Sequence, residues 1–302
     1  MKNILITGGC GFIGSHLSEY LLKKGFNVKI FDRYNSNNHW GWIEHSKYKK
    51  HFHVNLGDIR DIDSVKKAIE GCDVVIHLAA LIGIPYSYIS PMAYIKTNIE
   101  GTYNVLESSK ELKIKKLIVT STSEVYGSAI FLPINESHPL QPQSPYSASK
   151  ISADNLAMSY FNSFDLPITI IRPFNTYGPR QSARAIIPTI ASQLLSSRKI
   201  YLGNTDTMRD LTYVSDLCNA YETLLKTDKF NGETVNVGSN KHISVHELYN
   251  KISQILNVKK KYTKVSERVR NKKSEVNKLL CDNFKLINNT DWKPKVSLDI
   301  GL

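Results

Sequence analysis

Residues 4–14 have the sequence ILITGGCGFIG. Its first three residues are apolar and predict a short buried strand. From Ile13 to Lys24 apolar residues recur at helical spacing, and Gly25 is a typical residue to end a helix. The turn between strand and helix is rich in glycine, as a tight turn without room for a Cβ atom requires. The stretch therefore predicts a strand, a tight turn and an amphipathic helix.

The same alternation of strand and helix continues along the first half of the chain. Short apolar runs predict further strands at residues 28–31, 53–56, 74–78, 117–121 and 168–172. Helical patterns lie between them at residues 64–69, 97–112 and 146–164. Strands that alternate with helices form a parallel, doubly wound sheet. The predicted fold class is therefore α/β with a Rossmann-type sheet.

The glycine turn has the context that a dinucleotide site requires. Gly11 lets the backbone approach a pyrophosphate, Gly14 lets the helix pack closely on the sheet, and the helix N-terminus favours negative charge. Asp32 ends the second strand, where its carboxylate can accept both ribose hydroxyls and would repel a 2′-phosphate, so NAD is favoured over NADP. Asp58 either holds the adenine edge or serves as a capping or turn residue. The residues expected to contact NAD in this part of the chain are Gly8, Gly11, Phe12, Ile13, Asp32, Asp58, Ile59, Leu78, Ala79 and Ala80.

A catalytic group is predicted after the fifth strand. Tyr146 and Lys150 lie four residues apart at the start of a helix and so share one face, where both are also expected to contact NAD. An ammonium beside a phenol stabilises the phenolate, which can take a proton from a substrate hydroxyl while NAD⁺ takes a hydride. Thr122 and Glu124 follow the fifth strand at the edge where such sheets bind ligands. We expect Thr122 to hydrogen-bond the oxidised hydroxyl and Glu124 to act as a base, although Glu124 has the alternative role of a solvated loop carboxylate.

The second half of the chain is organised differently. Proline residues interrupt the pattern after residue 172, a strand is predicted at residues 233–237, and a helix at residues 245–256. We expect an NAD-binding domain over residues 1–172, with a later strand near 212–240 that returns to its sheet. Residues 173–302 are expected to form a smaller, interlocked substrate-binding part.

Composition narrows the class of protein. The formal net charge of +12 is compatible with nucleic-acid binding or with a lysine-rich solvated surface. We favour the second, since no run of five like charges occurs, and a positive field also suits an anionic small substrate. No apolar run reaches the roughly 18 residues of a membrane span. The four cysteines show no metal or disulfide spacing, and no signal peptide is expected before the first strand, so we expect a cytoplasmic protein without a metal site.

Six motifs together resemble the nucleotide-sugar epimerase/dehydratase branch of the extended short-chain dehydrogenase/reductase family. They are residues 7–14, HLAA at 77–80, STSEVYG at 121–127, YSASK at 146–150, RPFNTYGP at 172–179 and RDLTYVSD at 209–216. The resemblance implies a nucleotide-sugar substrate, whose phosphates Asn175 would contact. It also implies a homodimer through the helices at 97–112 and 146–164. The residues that would neutralise the diphosphate, each with the alternative of a surface ion pair, are Arg180, Arg184, Arg209 and Arg270.

Within this branch the segment after the fifth strand indicates which reaction follows oxidation at C4 of the sugar. Members with Thr and Glu at the positions of Thr122 and Glu124 are typically 4,6-dehydratases or glucuronate decarboxylases, whereas simple 4-epimerases usually carry small residues there. In a dehydratase Glu124 would remove the C5 proton, water would leave from C6, and the hydride would return to C6. Ser123 occupies the position where many sugar dehydratases carry an aspartic acid as general acid. We therefore predict a 4,6-dehydratase, with UDP-glucuronate decarboxylase and 4-epimerase as alternatives.

Two loops point to a subgroup. Residues 34–42 and residues 83–88 resemble the N-acetylglucosamine nucleotide 4,6-dehydratases that feed legionaminic acid synthesis, and Tyr86 lies where a loop can touch the sugar. The resemblance implies GDP- or UDP-N-acetylglucosamine as substrate. A non-catalytic dinucleotide sensor is the alternative from another class of protein, but such proteins often lose the Tyr or Lys that this chain keeps at 146 and 150.

Overall fold

The computed structural model describes residues 2–196, 199–265 and 274–302. Its strands are β1 (Asn3–Thr7), β2 (Asn27–Arg33), β3 (His53–Gly57), β4 (Val74–His77), β5 (Lys116–Thr120), β6 (Ile168–Pro173), β7 (Asn175–Tyr177), β8 (Ile200–Leu202), β9 (Met208–Tyr213), β10 (Glu233–Val237), β11 (His242–Ser244) and β12 (Tyr262–Lys264). Its α-helices are α1 (Phe12–Lys23), α2 (Ile62–Ile69), α3 (Ile84–Ile89), α4 (Pro91–Tyr94), α5 (Gly101–Glu111), α6 (Pro145–Phe164), α7 (Ile186–Ser196), α8 (Val214–Leu225), α9 (Val245–Ile255), α10 (Phe284–Asn289) and α11 (Leu298–Gly301).

Seven strands form one parallel sheet in the order β10-β6-β5-β4-β1-β2-β3. The chain proceeds from β1 outward to β3 and then crosses back to place β4 on the other side of β1. The strand order therefore reverses between β1 and β4, and a doubly wound sheet binds ligands in the crevice at such a point. The predicted Rossmann-type fold is confirmed.

The central strand β1 is apolar on both sides because helices cover both faces of the sheet. Ile4 and Ile6 pack with Leu17 of α1 and Leu217 of α8 in one buried cluster. Leu5 belongs to a second cluster on the opposite face, which includes residues of α2, α5 and α6. Alternate side chains of one strand thus anchor the two helical layers.

The predicted helix at 97–112 differs from the observed structure at its start. Residues Ile95–Glu100 form a π-helix, and only Gly101–Glu111 is α-helical. A π-helix widens the helical turn and is often found at a functional site. Here the π-helical segment contains Asn98, whose side chain contacts the loop after β4 as described below.

The second half of the chain is interlocked with the first. Strand β10 completes the main sheet beside β6, and α8 packs against α1. The remaining strands form a three-stranded sheet, β11-β9-β7, and a two-stranded sheet, β12-β8. The predicted boundary after residue 172 falls at the end of β6, and the division into two functional parts stays a prediction. Within the described ranges, no helix is both long and apolar enough to cross a membrane.

Candidate active site

A cavity of about 760 Å³ opens at the carboxyl ends of the central strands. Its position is the crevice that the reversal of strand order creates between β1 and β4. It brings together predicted site residues from segments far apart in the chain. Those that line it are Gly8, Gly11, Phe12, Ile13, Asp32, Asp58, Ile59, Leu78, Ala79, Ala80, Tyr86, Thr122, Ser123, Glu124, Tyr146, Lys150 and Asn175.

The glycine turn is shaped by two close backbone approaches. Gly8 has a φ of +73°, and a Cβ there would lie 2.9 Å from the backbone nitrogen of Ala79. A Cβ on Gly14 would lie 2.1 Å from the carbonyl oxygen of Gly8. At Gly11 the nearest atom would be 3.4 Å away, so its missing side chain leaves open space toward the cavity. This cradle, in front of the N-terminus of α1, fits the pyrophosphate of a dinucleotide.

Asp32 is held rigidly at the end of β2. Its carboxylate accepts hydrogen bonds from the backbone nitrogens of Cys10 (2.7 Å) and Arg33 (2.8 Å). Burial raises the pKa of Asp32, and these hydrogen bonds oppose that rise. A carboxylate has about four acceptor sites, so Asp32 can still accept from the hydroxyls of a ribose in the cavity. This acceptor therefore fits the ribose of an adenosine without a 2′-phosphate.

Asp58 is hydrogen-bonded to Arg60, a contact that the sequence does not predict. It accepts hydrogen bonds from the Arg60 backbone nitrogen (3.0 Å) and from two guanidinium nitrogens of Arg60 (2.9 and 2.5 Å). This pairing lowers the pKa of Asp58. Asp58 is thus a turn residue that also lines the cavity, and its contact with adenine stays a prediction.

His77 is the first residue of the HLAA motif at 77–80, and the sequence predicts no separate role for it. It is fully buried, with Nδ1 2.8 Å from the Thr7 hydroxyl and Nε2 3.1 Å from the Thr102 hydroxyl. Thr102 donates its proton to the carbonyl of Asn98, so His77 Nε2 carries a proton and donates to Thr102. Thr7 then donates to Nδ1 and accepts from the backbone nitrogen of Ala79. Burial lowers the pKa of His77 to about 3, so this neutral chain of hydrogen bonds fixes the loop after β4.

Asn98 is a second residue that sequence reasoning missed. Its side-chain amide accepts from the backbone nitrogen of Leu81 at 2.8 Å and donates to the Leu81 carbonyl at 2.9 Å. It also donates to the hydroxyl of Ser149, which in turn donates to the carbonyl of Tyr146. The π-helix therefore connects the loop after β4 to the first turns of α6.

Tyr146 and Lys150 lie on one face of α6, as their spacing predicted, and both are buried. Burial is the main cause that raises the pKa of Tyr146, and its hydrogen bond with the Thr122 hydroxyl lowers it. The Lys150 ammonium donates to the carbonyl of Thr120 at 2.7 Å, and burial lowers its pKa. The structure thus brings the predicted phenol and hydroxyl together and anchors the Lys150 ammonium at the end of β5.

Glu124 lies on a single turn of 3₁₀ helix, Ser123–Tyr126, directly after β5. The Thr122 hydroxyl caps this turn by accepting from the Glu124 backbone nitrogen at 3.2 Å. Glu124 is half-buried and lines the cavity, and its charge contributes to the raised pKa of Tyr146. Ser123 is buried and also borders the cavity. The carboxylate, the Thr hydroxyl and the phenol therefore converge on one space.

A buried ion pair lies one turn farther along α6. Asp154 accepts from Arg172 Nη2 at 2.9 Å and Nε at 3.1 Å, and both side chains are almost inaccessible to solvent. Asp154 also accepts from the Ser121 hydroxyl at 2.8 Å. Arg172 donates in addition to the hydroxyl of Tyr126. This network locks the carboxyl ends of β5 and β6 to the helix that carries Tyr146.

The predicted phosphate-binding residues are not gathered in one place. Asn175, at the start of β7, lines the cavity. Arg180 pairs instead with Glu19 at 3.0 Å and donates to the Ser15 hydroxyl, so it docks its loop on α1. Arg184 is exposed; burial raises the pKa of Tyr94, and the charge of Arg184 partly opposes that rise.

Arg209 bridges two segments of the second half. Its guanidinium donates to the carbonyls of Met208 (2.9 Å) and Val276 (2.8 Å) and to Glu275 (3.4 Å). Arg209 thus forms an ion pair with Glu275, which is the alternative role that the sequence allows for it. Arg270 lies outside the described residues. Diphosphate binding by these arginines stays a prediction.

Comparison with known proteins agrees with this geometry. The model of the GDP-mannose 4,6 dehydratase family matches residues 5–302. The chain belongs to this family. The expected membership of the extended short-chain dehydrogenase/reductases is thereby confirmed, with homologues among nucleotide-sugar dehydratases, epimerases and decarboxylases.

Curated relatives and a solved structure illustrate the range of the family. The dTDP-D-glucose 4,6-dehydratase of Dictyostelium discoideum is 36% identical over 84% of this chain and 62% of that protein. The UDP-N-acetyl-alpha-D-glucosaminuronate decarboxylase of Bacillus cytotoxicus is 35% identical over 100% of this chain and 95% of that protein. The dTDP-glucose 4,6-dehydratase DesIV of Streptomyces venezuelae, solved with NAD and TYD bound, has a TM-score of 0.87 and 27% identity, covering 99% of this chain and 94% of its own.

Proposed function

We propose that this chain is an NAD-dependent 4,6-dehydratase of a nucleotide-linked N-acetylglucosamine, with GDP or UDP as the nucleotide. The observation that carries the proposal is the convergence of Thr122, Glu124 and Tyr146 on one cavity beside the dinucleotide cradle. The product would be the 4-keto-6-deoxy sugar. Choice of N-acetylglucosamine rests on the loop resemblance at residues 34–42 and 83–88.

NAD fits the cradle that Gly8, Gly11 and Asp32 form, and DesIV carries NAD in the same fold. When bound, NAD accepts a hydride from the sugar and returns it within one turnover, so it is regenerated. The Thr7 hydroxyl, which is itself bonded to His77, accepts from Ala79, and Asn98 accepts from Leu81, so the loop from Ala79 to Leu81 is held in place in the cavity wall.

Tyr146 is proposed as the base that takes the proton of the C4 hydroxyl. Its raised pKa must fall for this step, and the donor that already lowers it is the Thr122 hydroxyl. Lys150 contributes positive charge from the end of β5. Thr122 would then donate to the oxygen of the C4 ketone, since it lines the cavity and is hydrogen-bonded to the phenol of Tyr146.

Glu124 is proposed as the base at C5. A ketone at C4 makes the C5 proton acidic, and the half-buried carboxylate faces the space where that carbon would sit. Removal of the C5 proton allows water to leave from C6. Because Ser123 is not a carboxylic acid, Glu124 in its protonated form would supply the proton for the departing hydroxyl.

The nucleotide end of the substrate would lie toward the second half of the chain. Asn175 supports this orientation because it lines the cavity at the start of β7. Arg184 is exposed next to Ala185, which lines the cavity, and Tyr86 forms part of the cavity wall. Arg180 and Arg209 would have to exchange a present partner for phosphate oxygens.

A decarboxylase of a nucleotide-linked uronic acid is the second candidate. The specific observation in its favour is the Bacillus cytotoxicus decarboxylase, which is 35% identical across this whole chain. Such a reaction shares the oxidation at C4, after which the 4-keto acid loses carbon dioxide. It needs no general acid at the position of Ser123.

A panel of nucleotide sugars tests both candidates. Purified protein with NAD is incubated separately with UDP- and GDP-N-acetylglucosamine and with the corresponding UDP-uronic acids, and products are identified by mass spectrometry. Loss of one water from an N-acetylglucosamine nucleotide is expected, whereas loss of carbon dioxide would replace the proposal by the second candidate. No product from any substrate would contradict both.

Glu124→Gln separates the two halves of the dehydratase reaction. The variant is expected to oxidise C4 of the substrate, which single-turnover absorbance of NADH would detect, but to lose about 10²-fold or more in dehydration, because it lacks the base at C5. Glu111→Gln is the matched control, since Glu111 is an exposed carboxylate at the end of α5 that pairs with Lys66 of α2. Equal dehydration rates for Glu124→Gln and wild type would show that the base is another residue.

We also propose a homodimer formed through the helical layer of α5 and α6. Large apolar side chains are exposed there and on the π-helix before it, namely Ile95, Tyr103 and Phe164. Light scattering would measure the mass in solution, and a monomer at micromolar concentration would contradict this proposal.

A further inference from the structure

Tyr94 has no role in the proposed reaction, yet it contacts both the proposed catalytic phenol and the loop that carries Tyr86 in the cavity wall. It is the last residue of α4, and only 1% of it is exposed. Its ring centroid lies 6.1 Å from that of Tyr146, with the two planes inclined at 72°. It also lies 6.1 Å from the ring of Tyr86, at 51°. One buried ring therefore contacts both the proposed base and a residue of the sugar wall.

The hydroxyl of Tyr94 is committed to the same loop. It donates to the carbonyl oxygen of Gly83 at 2.5 Å, and that carbonyl also accepts from the backbone nitrogen of Ser87. Gly83 is the residue before α3, which carries Tyr86. A Cβ on Gly83 would lie 3.5 Å from the Tyr94 oxygen, so the loop packs directly on this hydroxyl.

Tyr94 and Asn98 hold neighbouring points of one loop. Asn98 binds the backbone of Leu81, and Tyr94 binds the carbonyl of Gly83 two residues later. Asn98 is also bonded to Ser149 on α6, whereas Tyr94 reaches α6 through the ring of Tyr146. Burial raises the pKa of Tyr94, so its hydroxyl remains a donor to Gly83. The loop and the catalytic helix are thus linked at two points.

We propose that Tyr94 is a positioning residue, whose ring orients the phenol of Tyr146 and whose hydroxyl holds the loop that carries Tyr86. An edge-to-face contact restricts the tilt of a neighbouring ring, and proton transfer requires the phenol oxygen within hydrogen-bond distance of the sugar hydroxyl. The hydroxyl of Tyr94 sets the distance from that phenol to the sugar wall. This inference rests on the proposed function, in which Tyr146 is the base and Tyr86 contacts the sugar.

Two variants separate the ring from the hydroxyl. Tyr94→Phe keeps the ring and loses the bond to Gly83, so KM for the nucleotide sugar should rise about fivefold with kcat nearly unchanged. Tyr94→Leu removes the ring contact with Tyr146, so kcat should fall about tenfold or more at saturating substrate. The matched control is Tyr160→Phe. Tyr160 lies on the same helix as Tyr146, and the variant removes a hydroxyl that is bonded to Glu107 of α5 at 2.7 Å. It should leave both constants at their wild-type values.

The outcomes decide the proposal in either direction. Wild-type KM in Tyr94→Phe would overturn the role of the hydroxyl, and wild-type kcat in Tyr94→Leu would overturn the role of the ring. If Tyr94→Leu does not fold, the KM of Tyr94→Phe decides.

A failure of the proposed function is distinguishable from a failure of this inference. Wild-type protein without turnover on any nucleotide sugar would refute the proposed function alone. Amide hydrogen exchange over residues 81–90 would then test Tyr94 without substrate. Faster exchange in Tyr94→Phe than in wild type and Tyr160→Phe supports the link between hydroxyl and loop, and equal exchange overturns it.

Discussion

Two glycines of the same turn should fail in different ways when each is replaced by alanine. A Cβ on Gly14 would lie 2.1 Å from the carbonyl oxygen of Gly8 and 2.7 Å from Cα of Gly9. Both contacts are with backbone, so α1 or the turn must move as a whole. A Cβ on Gly11, whose φ is −75°, meets only the Gly8 carbonyl oxygen, at 3.4 Å. Gly14→Ala should therefore lower the stability of the fold, whereas Gly11→Ala should alter only the surface of the cavity.

The magnitudes follow from these contacts. Overpacking against backbone costs about 3 kcal/mol for Gly14→Ala, which lowers Tm by about 5 °C or more in a chain of this size. Gly11→Ala should change the free energy of unfolding by less than about 1 kcal/mol, because its backbone conformation suits any residue. Its methyl group would occupy the path of the pyrophosphate and weaken NAD binding about tenfold, or about 1.4 kcal/mol.

Calorimetry measures both effects on protein from which bound nucleotide has been removed. Scanning calorimetry gives Tm for wild type and each variant, and titration with NAD gives the Kd. A wild-type Tm in Gly14→Ala would refute the close approach of α1 to the turn. A wild-type Kd for NAD in Gly11→Ala, with folding intact, would refute the assignment of the cradle.

Three further predictions concern buried and charged groups around the site. Burial lowers the pKa of His77 from 6.5 to about 3, so the unfolded chain binds a proton that the folded chain does not. The buried His77 therefore leaves the free energy of unfolding unaffected above pH 6.5 and lowers it by about 1.4 kcal/mol per pH unit as the pH falls toward 3. The free energy of unfolding, measured by urea denaturation, should depend less steeply on pH in His77→Gln than in wild type, and an identical slope would contradict the buried neutral ring. Asp154→Asn leaves the Arg172 charge buried without its partner and should cost about 3–5 kcal/mol in urea denaturation, which the double variant with Arg172→Met should largely restore. A single variant as stable as wild type would show that the pair is solvated. Asp32→Asn removes the charge that repels a 2′-phosphate, so the ratio of the Kd values for NADP and NAD should fall about tenfold by titration, and an unchanged ratio would assign the discrimination elsewhere.

Local pattern sufficed for most of the sheet. The strand predicted at 53–56 is β3 (His53–Gly57), and the one at 233–237 is β10 with the same bounds. Alternation and apolar runs depend on residues close in sequence, so they can be recognised without the fold. The convergence of Asp32, Thr122 and Tyr146 also follows from strand order, because the carboxyl ends of parallel strands meet at one edge.

Local pattern did not predict the buried side chains whose hydrogen bonds hold the loop after β4 in place. His77 depends on Thr7, 70 residues earlier in the chain, and on Thr102, 25 residues later. The π-helix around Asn98 has a sequence compatible with an ordinary helix. Its register is selected by bonds to Leu81 and to α6.

Residue type and short-range spacing were enough to predict the Rossmann-type sheet and the dinucleotide turn, and the same local information selected the candidate reactive side chains, whose roles stay predictions. Which of the charged groups are paired with one another becomes apparent only in the folded chain. Arg180 is paired with Glu19, 161 residues away, and Arg209 with Glu275, 66 residues away. The energy of an ion pair depends on separation and burial in space, and sequence separation carries neither quantity. The same reason hides Tyr94, whose contacts with Gly83 and Tyr146 exist only once the loop, the helix and the sheet have come together.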